Sequence, residues 1–221
     1  MFKKTIISLA IILALLIVGC HGARQSKPSQ NQNREPAYIS DQYGLKLYDL
    51  DGYSEDKSVY YRARAFLTLR KDDVRVQFGF IKGENFPLLT DQNNADTAKQ
   101  MLLDWTTGML ETPNFFPGTD KILLKWEYTK ISGNLAIVTD ILLESSADMK
   151  SPLSENMLKL HKEDIDFFKV HKKALLRTYH MYRGKDMFHI EFLADPLTYQ
   201  AEIGNFEKTI LDGISFMEKS Q

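Results

Sequence analysis

The residue types that carry chemistry are scarce in this chain. It has one cysteine, Cys20, and five histidines. His180 and His189 flank a Gly184-Lys185 dipeptide, which suits a two-residue hairpin turn with glycine first. That turn sets the two imidazoles directly opposite each other on neighbouring strands, with Glu191 on the same face. Two neutral imidazoles can offer two ligands to Zn²⁺, and Glu191 is a diagonal third. Without metal, the pair repels itself once both rings are protonated. The plainer alternative is two ordinary surface residues. His161 and Asp164 have helical i, i+3 spacing but stand among Met157, Leu158 and Ile165, which fits a satisfied, half-buried histidine. No G-x-S-x-G, H-E-x-x-H, C-x-x-C or P-loop occurs. The acidic pairs Asp72-Asp73 and Glu163-Asp164 fall in a turn and on a polar helix face, where solvated carboxylates are ordinary.

Cys20 ends a different pattern. Lys3 and Lys4 precede an apolar run from Thr5 to Val18, the n-region and h-region of an export signal. A membrane span needs roughly 20 residues, so this run is too short to hold the protein alone. Its end, Ile17-Val18-Gly19-Cys20, resembles the lipobox of bacterial lipoproteins. The resemblance implies a signal peptide over 1–19, cleavage before Cys20, a thioether from its thiol to diacylglycerol, and acylation, typically with palmitate, of the new amino group. One acyl chain binds membranes only marginally, so the additional chains matter for durable anchoring. With one cysteine there is no disulfide framework, and packing alone must stabilise the core.

Residues 21–36, "HGARQSKPSQNQNREP", contain no large apolar side chain. Such a stretch cannot offset its ordering entropy, so the lipidated cysteine and a disordered tether occupy 20–36. As a coil the tether spans roughly 20–25 Å. The globular domain then runs over 37–221. Losing Lys3 and Lys4 leaves 26 basic against 29 acidic residues and takes the formal charge from −1 to −3. Nucleic-acid binding would call for a strongly basic chain, so no nucleic-acid partner is expected.

The elements that position these residues read as hairpins with helices between them. Val59, Tyr61, Ala63, Ala65, Leu67 and Leu69 alternate with polar residues, as do Val74, Val76, Phe78 and Phe80. A turn at Lys71-Asp72 would place Ala65 opposite Phe78. "NADTAKQMLLDWTTGML" predicts a helix capped by Asn94, with Ala95, Ala98, Met101, Leu102, Trp105 and Met109 on one face. A second hairpin has Ile122, Leu124, Trp126 and Tyr128 on one face and turns within Ser132-Gly133-Asn134. A helix over "LSENMLKLHKEDIDFF" and the His180/His189 hairpin follow, with Phe188, Ile190, Phe192 and Ala194 facing the core. Asn205 then caps a short helix that Gly213 stops, and Ile214 to Met217 add a last strand. The expected fold is α+β, a single domain with a largely antiparallel sheet built from hairpins and interleaved helices.

This element order, with "NFEKTILDGISF" at the end and "YISDQYGLKLYDLDGY" at the start, resembles the PsbP-like fold family. That family includes photosystem extrinsic proteins, a Ran-binding relative and bacterial envelope lipoproteins. It shares no single chemistry, so the resemblance implies a binding or assembly role and no catalytic residues.

Two surface features fit such a role. Phe115 and Phe116 lie between prolines in "TPNFFPG", as a partner contact or as a plug for the sheet's end. Lys172, Lys173 and Arg177 belong to a basic cluster that runs from Lys159 to Lys185 and could meet anionic lipid or an acidic partner. The expectation is a lipid-anchored, non-enzymatic binding or assembly module with no cofactor. It would hold the membrane through Cys20 and engage an envelope protein. His21 lacks the Asp that often marks inner-membrane retention, which favours the outer membrane facing the periplasm. The alternatives are a small hydrolytic envelope enzyme, which needs a deep polar cleft, and an apolar-ligand lipoprotein, which needs an apolar pocket.

Overall fold

Two-residue turns set the main sheet. Asp72 at φ +50°, Ser132 and Gly133 at +48° and +81°, and Gly184 at +64° take the left-handed conformations that such turns require. The computed structural model describes residues 34–57, 65–83, 95–112, 115–146, 161–184 and 186–217. The strands are β1 (Tyr38–Ser40), β2 (Leu45–Leu47), β3 (Ser54–Glu55), β4 (Ala65–Lys71), β5 (Val74–Ile81), β6 (Thr119–Ile131), β7 (Asn134–Ser145), β8 (Lys173–Arg183), β9 (Asp186–Ala194) and β10 (Ile214–Phe216). The helices are α1 (Ala95–Glu111), α2 (Lys162–Val170) and α3 (Pro196–Phe206), the last continued by a π-helical turn over Glu207–Leu211.

The fold is α+β, with a seven-stranded antiparallel sheet ordered β3-β4-β5-β9-β8-β7-β6 and a small sheet β1-β2-β10. The first face of the large sheet holds the main core. Val76, Phe78, Tyr179, Met181, Ile190 and Phe192 pack there under Tyr199, Phe206 and Ile210 of the α3 layer and Leu45, Leu47 and Ile214 of the small sheet. The second face holds two smaller apolar clusters. Ile141, Leu176 and Leu193 lie against Phe116 and Phe168, and Ile137, Tyr182 and Met187 lie against Leu102.

Several expectations change in detail. The first hairpin turns at Asp72-Asp73, so Leu67, not Ala65, opposes Phe78; a bulge then shifts Ala65 to Gly79. Residues 58–64 lie outside the described residues. On α1 the buried line is Ala98, Leu102 and Thr106; Asn94 lies outside the described residues. α3 starts nine residues earlier than Asn205. Asp195 is its cap, accepting from the N–H groups of Leu197 at 3.0 Å and Thr198 at 3.4 Å, and Pro196 follows in the first turn. The apolar residues read as one face of β6 are largely exposed: Ile122, Leu124 and Trp126 reach water at 45%, 54% and 44%. Ser132-Gly133 turns the hairpin as expected, but a bulge at Leu124 breaks the alternation, and β6 is an edge strand of the sheet.

Candidate functional site

The antiparallel register lays polar residues in two adjacent rows across the second face of the sheet. Thr139 opposes Thr178, Thr178 opposes Glu191, Glu191 opposes Gln77, and Gln77 opposes Thr68. One step along the strands, His180 opposes His189, and His189 opposes Gly79. The rows lie between the two apolar clusters of that face, and Thr68, Gln77, Thr139, Thr178, His180 and Glu191 are all buried. Such a band must satisfy its polar atoms internally. Thr139 and Thr178 share a hydrogen bond of 2.7 Å, and Thr178 Oγ1 lies 3.4 Å from His180 Nδ1. Gln77 Nε2 donates to Thr68 Oγ1 at 3.4 Å.

The histidine pair has the expected register, with ring centroids 6.1 Å apart and planes tilted by 37°. It is not a surface pair, since His180 is only 1% exposed. Burial pushes the His180 imidazole down to about 3, proximity to His189 adds to this, and Glu191 opposes it. Gly79 makes the space: a Cβ there would lie 1.9 Å from His189 Cε1. Among the described residues no group of three or more His, Cys, Asp or Glu side chains is arranged to hold a metal ion. The register places Glu191 on the same face and diagonal to His180, as expected. Its place is in the other row, two residues along β9, opposite Thr178 and Gln77.

A second polar cluster joins α2 to the sheet. Arg75, one row further along β5, donates from Nη2 to Asp164 Oδ1 at 2.5 Å, and Asp164 Oδ2 lies 3.2 Å from His161 Nδ1. His161 is a satisfied, buried histidine, as its spacing suggested. Asp164 is only 3% exposed and does not sit on a solvated face, because Arg75 and His161 hold it inward.

Of the residues expected to meet a partner, Arg177 is committed to the fold. Its Nε and Nη2 donate to the two oxygens of Asp140 at 2.6 and 2.7 Å, and Nη1 donates to Glu207 Oε1 at 2.6 Å. Tyr199 donates to Asp140 at 2.8 Å and Tyr179 to Glu207 at 2.9 Å. Burial would raise the Asp140 carboxyl, but the Arg177 guanidinium holds it below the usual carboxylate range. Phe116 is not a contact residue either. It is buried between Ile141 and Phe168, with Phe115 packed edge-on against it at 4.9 Å, which makes the pair a plug. Lys173 pairs with Glu144, and Lys172 is exposed. Cys20 lies outside the described residues. Among those residues no helix is long and apolar enough to cross a membrane.

The open apolar surface is on β6. Ile122, Leu123, Leu124 and Trp126 are between 41% and 54% exposed. α1 lies beside this strand, tied by Tyr128 Oη donating to Lys99 O at 2.8 Å and by Lys121 Nζ donating to Thr112 O at 2.8 Å. A period-two pattern cannot separate an exposed edge strand from a buried one, so this surface was hidden in the sequence.

No family model matches the chain, and no curated protein matches it by sequence. Solved structures similar to it include the cyanobacterial PsbP protein CyanoP of Synechocystis, with TM-score 0.48 and 8% identity over 81% of this chain and 90% of that one. The Ran-binding protein Mog1p of Saccharomyces cerevisiae is similar with TM-score 0.41 and 6% identity, over 79% of this chain and 91% of that one. Each is a likeness in fold alone.

Proposed function

We propose that this chain is a lipid-anchored, non-enzymatic binding or assembly module of the bacterial cell envelope. Cys20 holds it to the outer membrane on the periplasmic side. Residues 20–36 let the domain over 37–221 range roughly 20–25 Å from its anchor. The observation that carries the binding role is the exposed apolar strand β6, where Ile122, Leu123, Leu124 and Trp126 each reach water at 41% or more. The other polar features face inward: His180, Glu191, Gln77 and the threonines beside them are buried, and Arg177 is held by Asp140 and Glu207. Support for the anchor comes from Gly19-Cys20 at the end of a short apolar run.

The anchor is tested by metabolic labelling with palmitate in cells making the full chain. Wild type should take up label and fractionate with membranes. Cys20→Ser should take up none, because only a thiol forms the thioether. Label retained on Cys20→Ser would overturn the lipoprotein reading.

A further inference from the structure

We propose that the edge of β6, unpaired among the described residues, is the docking site for a second copy of this chain, paired antiparallel about a two-fold axis through Trp126. This refines the binding-module reading by naming the occupant of β6, and it does not depend on lipidation.

The turn at Ser132-Gly133 sets which backbone groups face the edge. Both residues have positive φ, which marks a type I′ hairpin closed by the pair Ile131 and Asn134. From that hydrogen-bonded pair, antiparallel positions alternate. Thr129, Glu127 and Lys125 turn their N–H and C=O groups toward β7. Lys130, Tyr128 and Trp126 turn theirs toward the open edge. A second strand can form a ladder only where its own outward-facing residues meet these.

Charge then selects among the allowed registers. A two-fold axis through Glu127 sets two carboxylates opposite each other. An axis through Tyr128 sets Lys125 opposite Ile131 and leaves its charge without a partner across the interface. An axis through Trp126 sets Lys125 of each copy opposite Glu127 of the other, twice. Those are non-hydrogen-bonded positions, where opposing side chains come closest. Lys125 and Glu127 are both about half exposed, and within one chain their charged atoms already lie 3.1 Å apart. The strand is thus its own complement, as a two-fold interface requires. The same axis brings the two Trp126 side chains together and sets Leu124 against Tyr128. Lys121, Lys125 and Lys130 would ordinarily discourage edge pairing. The Trp126-centred register answers Lys125, and the bulge at Leu124 limits the ladder to a short stretch.

The test is sedimentation velocity of the full chain in mild detergent over a concentration series. Wild type should associate to a dimer. Glu127→Lys and Lys125→Glu should each weaken association by about tenfold or more, because each sets like charges opposite each other at both contacts. The doubly swapped chain carrying both substitutions should recover wild-type association. Circular dichroism melts should show all four chains equally folded, since both side chains are exposed. A wild type that stays monomeric overturns the proposal, as does dimerisation that ignores the single substitutions or a double swap that fails to restore it. A monomer that is still palmitate-labelled would overturn this inference and leave the anchor intact.

Discussion

The environment of His180 moves its titration out of the neutral range. Its imidazole is held at about 3 against an ordinary 6.5, first by burial and then by His189. Below pH 6.5 the unfolded chain takes up a proton that the folded chain does not. Stability from this group is therefore complete above about pH 6.5 and is lost as pH falls toward 3, at about 1.4 kcal/mol per pH unit. Denaturant melts of wild type and His180→Gln at pH 7 and pH 5 check this. The variant should lose about 2 kcal/mol less over that interval, and equal losses would sink the assignment. The facing of His180 and His189 was legible from Gly184 and the strand period, because a two-residue turn determines register. The burial of His180 was not, because it depends on what covers the second face of the sheet. Gln77 and Thr68 were hidden for the same reason. Their alternation with Phe78 and Leu67 reads as a solvent-facing pattern, yet both faces of β5 are covered.

At the scale of elements, α3 carries its start signal in the sequence. Asp195-Pro196 is an N-cap followed by a first-turn proline, and the helix starts there. Burial would raise the Asp195 carboxyl, but hydrogen bonds from Thr198 and Leu197 hold it below its ordinary value. Asp195→Ala should cost about 1 kcal/mol at pH 7. That cost should vanish as pH falls through the lowered pKa, since a protonated Asp195 caps poorly. Leu197→Ala, at a position 80% exposed, should change little. Comparable losses in chemical melts of the two variants would show that the cap contributes nothing. On β6 the difficulty was different. The bulge at Leu124 moves one residue out of step, and no residue type near it announces that shift. The apolar alternation was real, but being on an edge strand is a property of sheet order, not of the strand itself.

Across the whole molecule, Arg177 joins layers that are distant in the chain. It stands on β8, takes Asp140 from β7 and Glu207 from the π-helical turn, and so ties the α3 layer to the sheet. Arg177→Ala would leave two largely buried carboxylates without their cation and should cost about 3 kcal/mol in urea melts at pH 7. A loss below about 1 kcal/mol would mean that water replaces the guanidinium freely. By itself, the sequence determined the α+β class, the three hairpins, the helix over Ala95–Glu111, the facing of His180 and His189, and the main core face through Phe78, Ile190 and Phe192. Each of these follows from local terms: turn stereochemistry and a period of two or 3.6. The proposed anchor rests on the sequence alone, where Gly19-Cys20 is a contiguous motif. Only the tertiary structure decided that Arg177 and Phe116 are internal and that His180 is buried. It alone left Trp126 and its neighbours in water. Those outcomes depend on strand order and on which layer covers which face, and both arise from contacts between residues far apart in the chain.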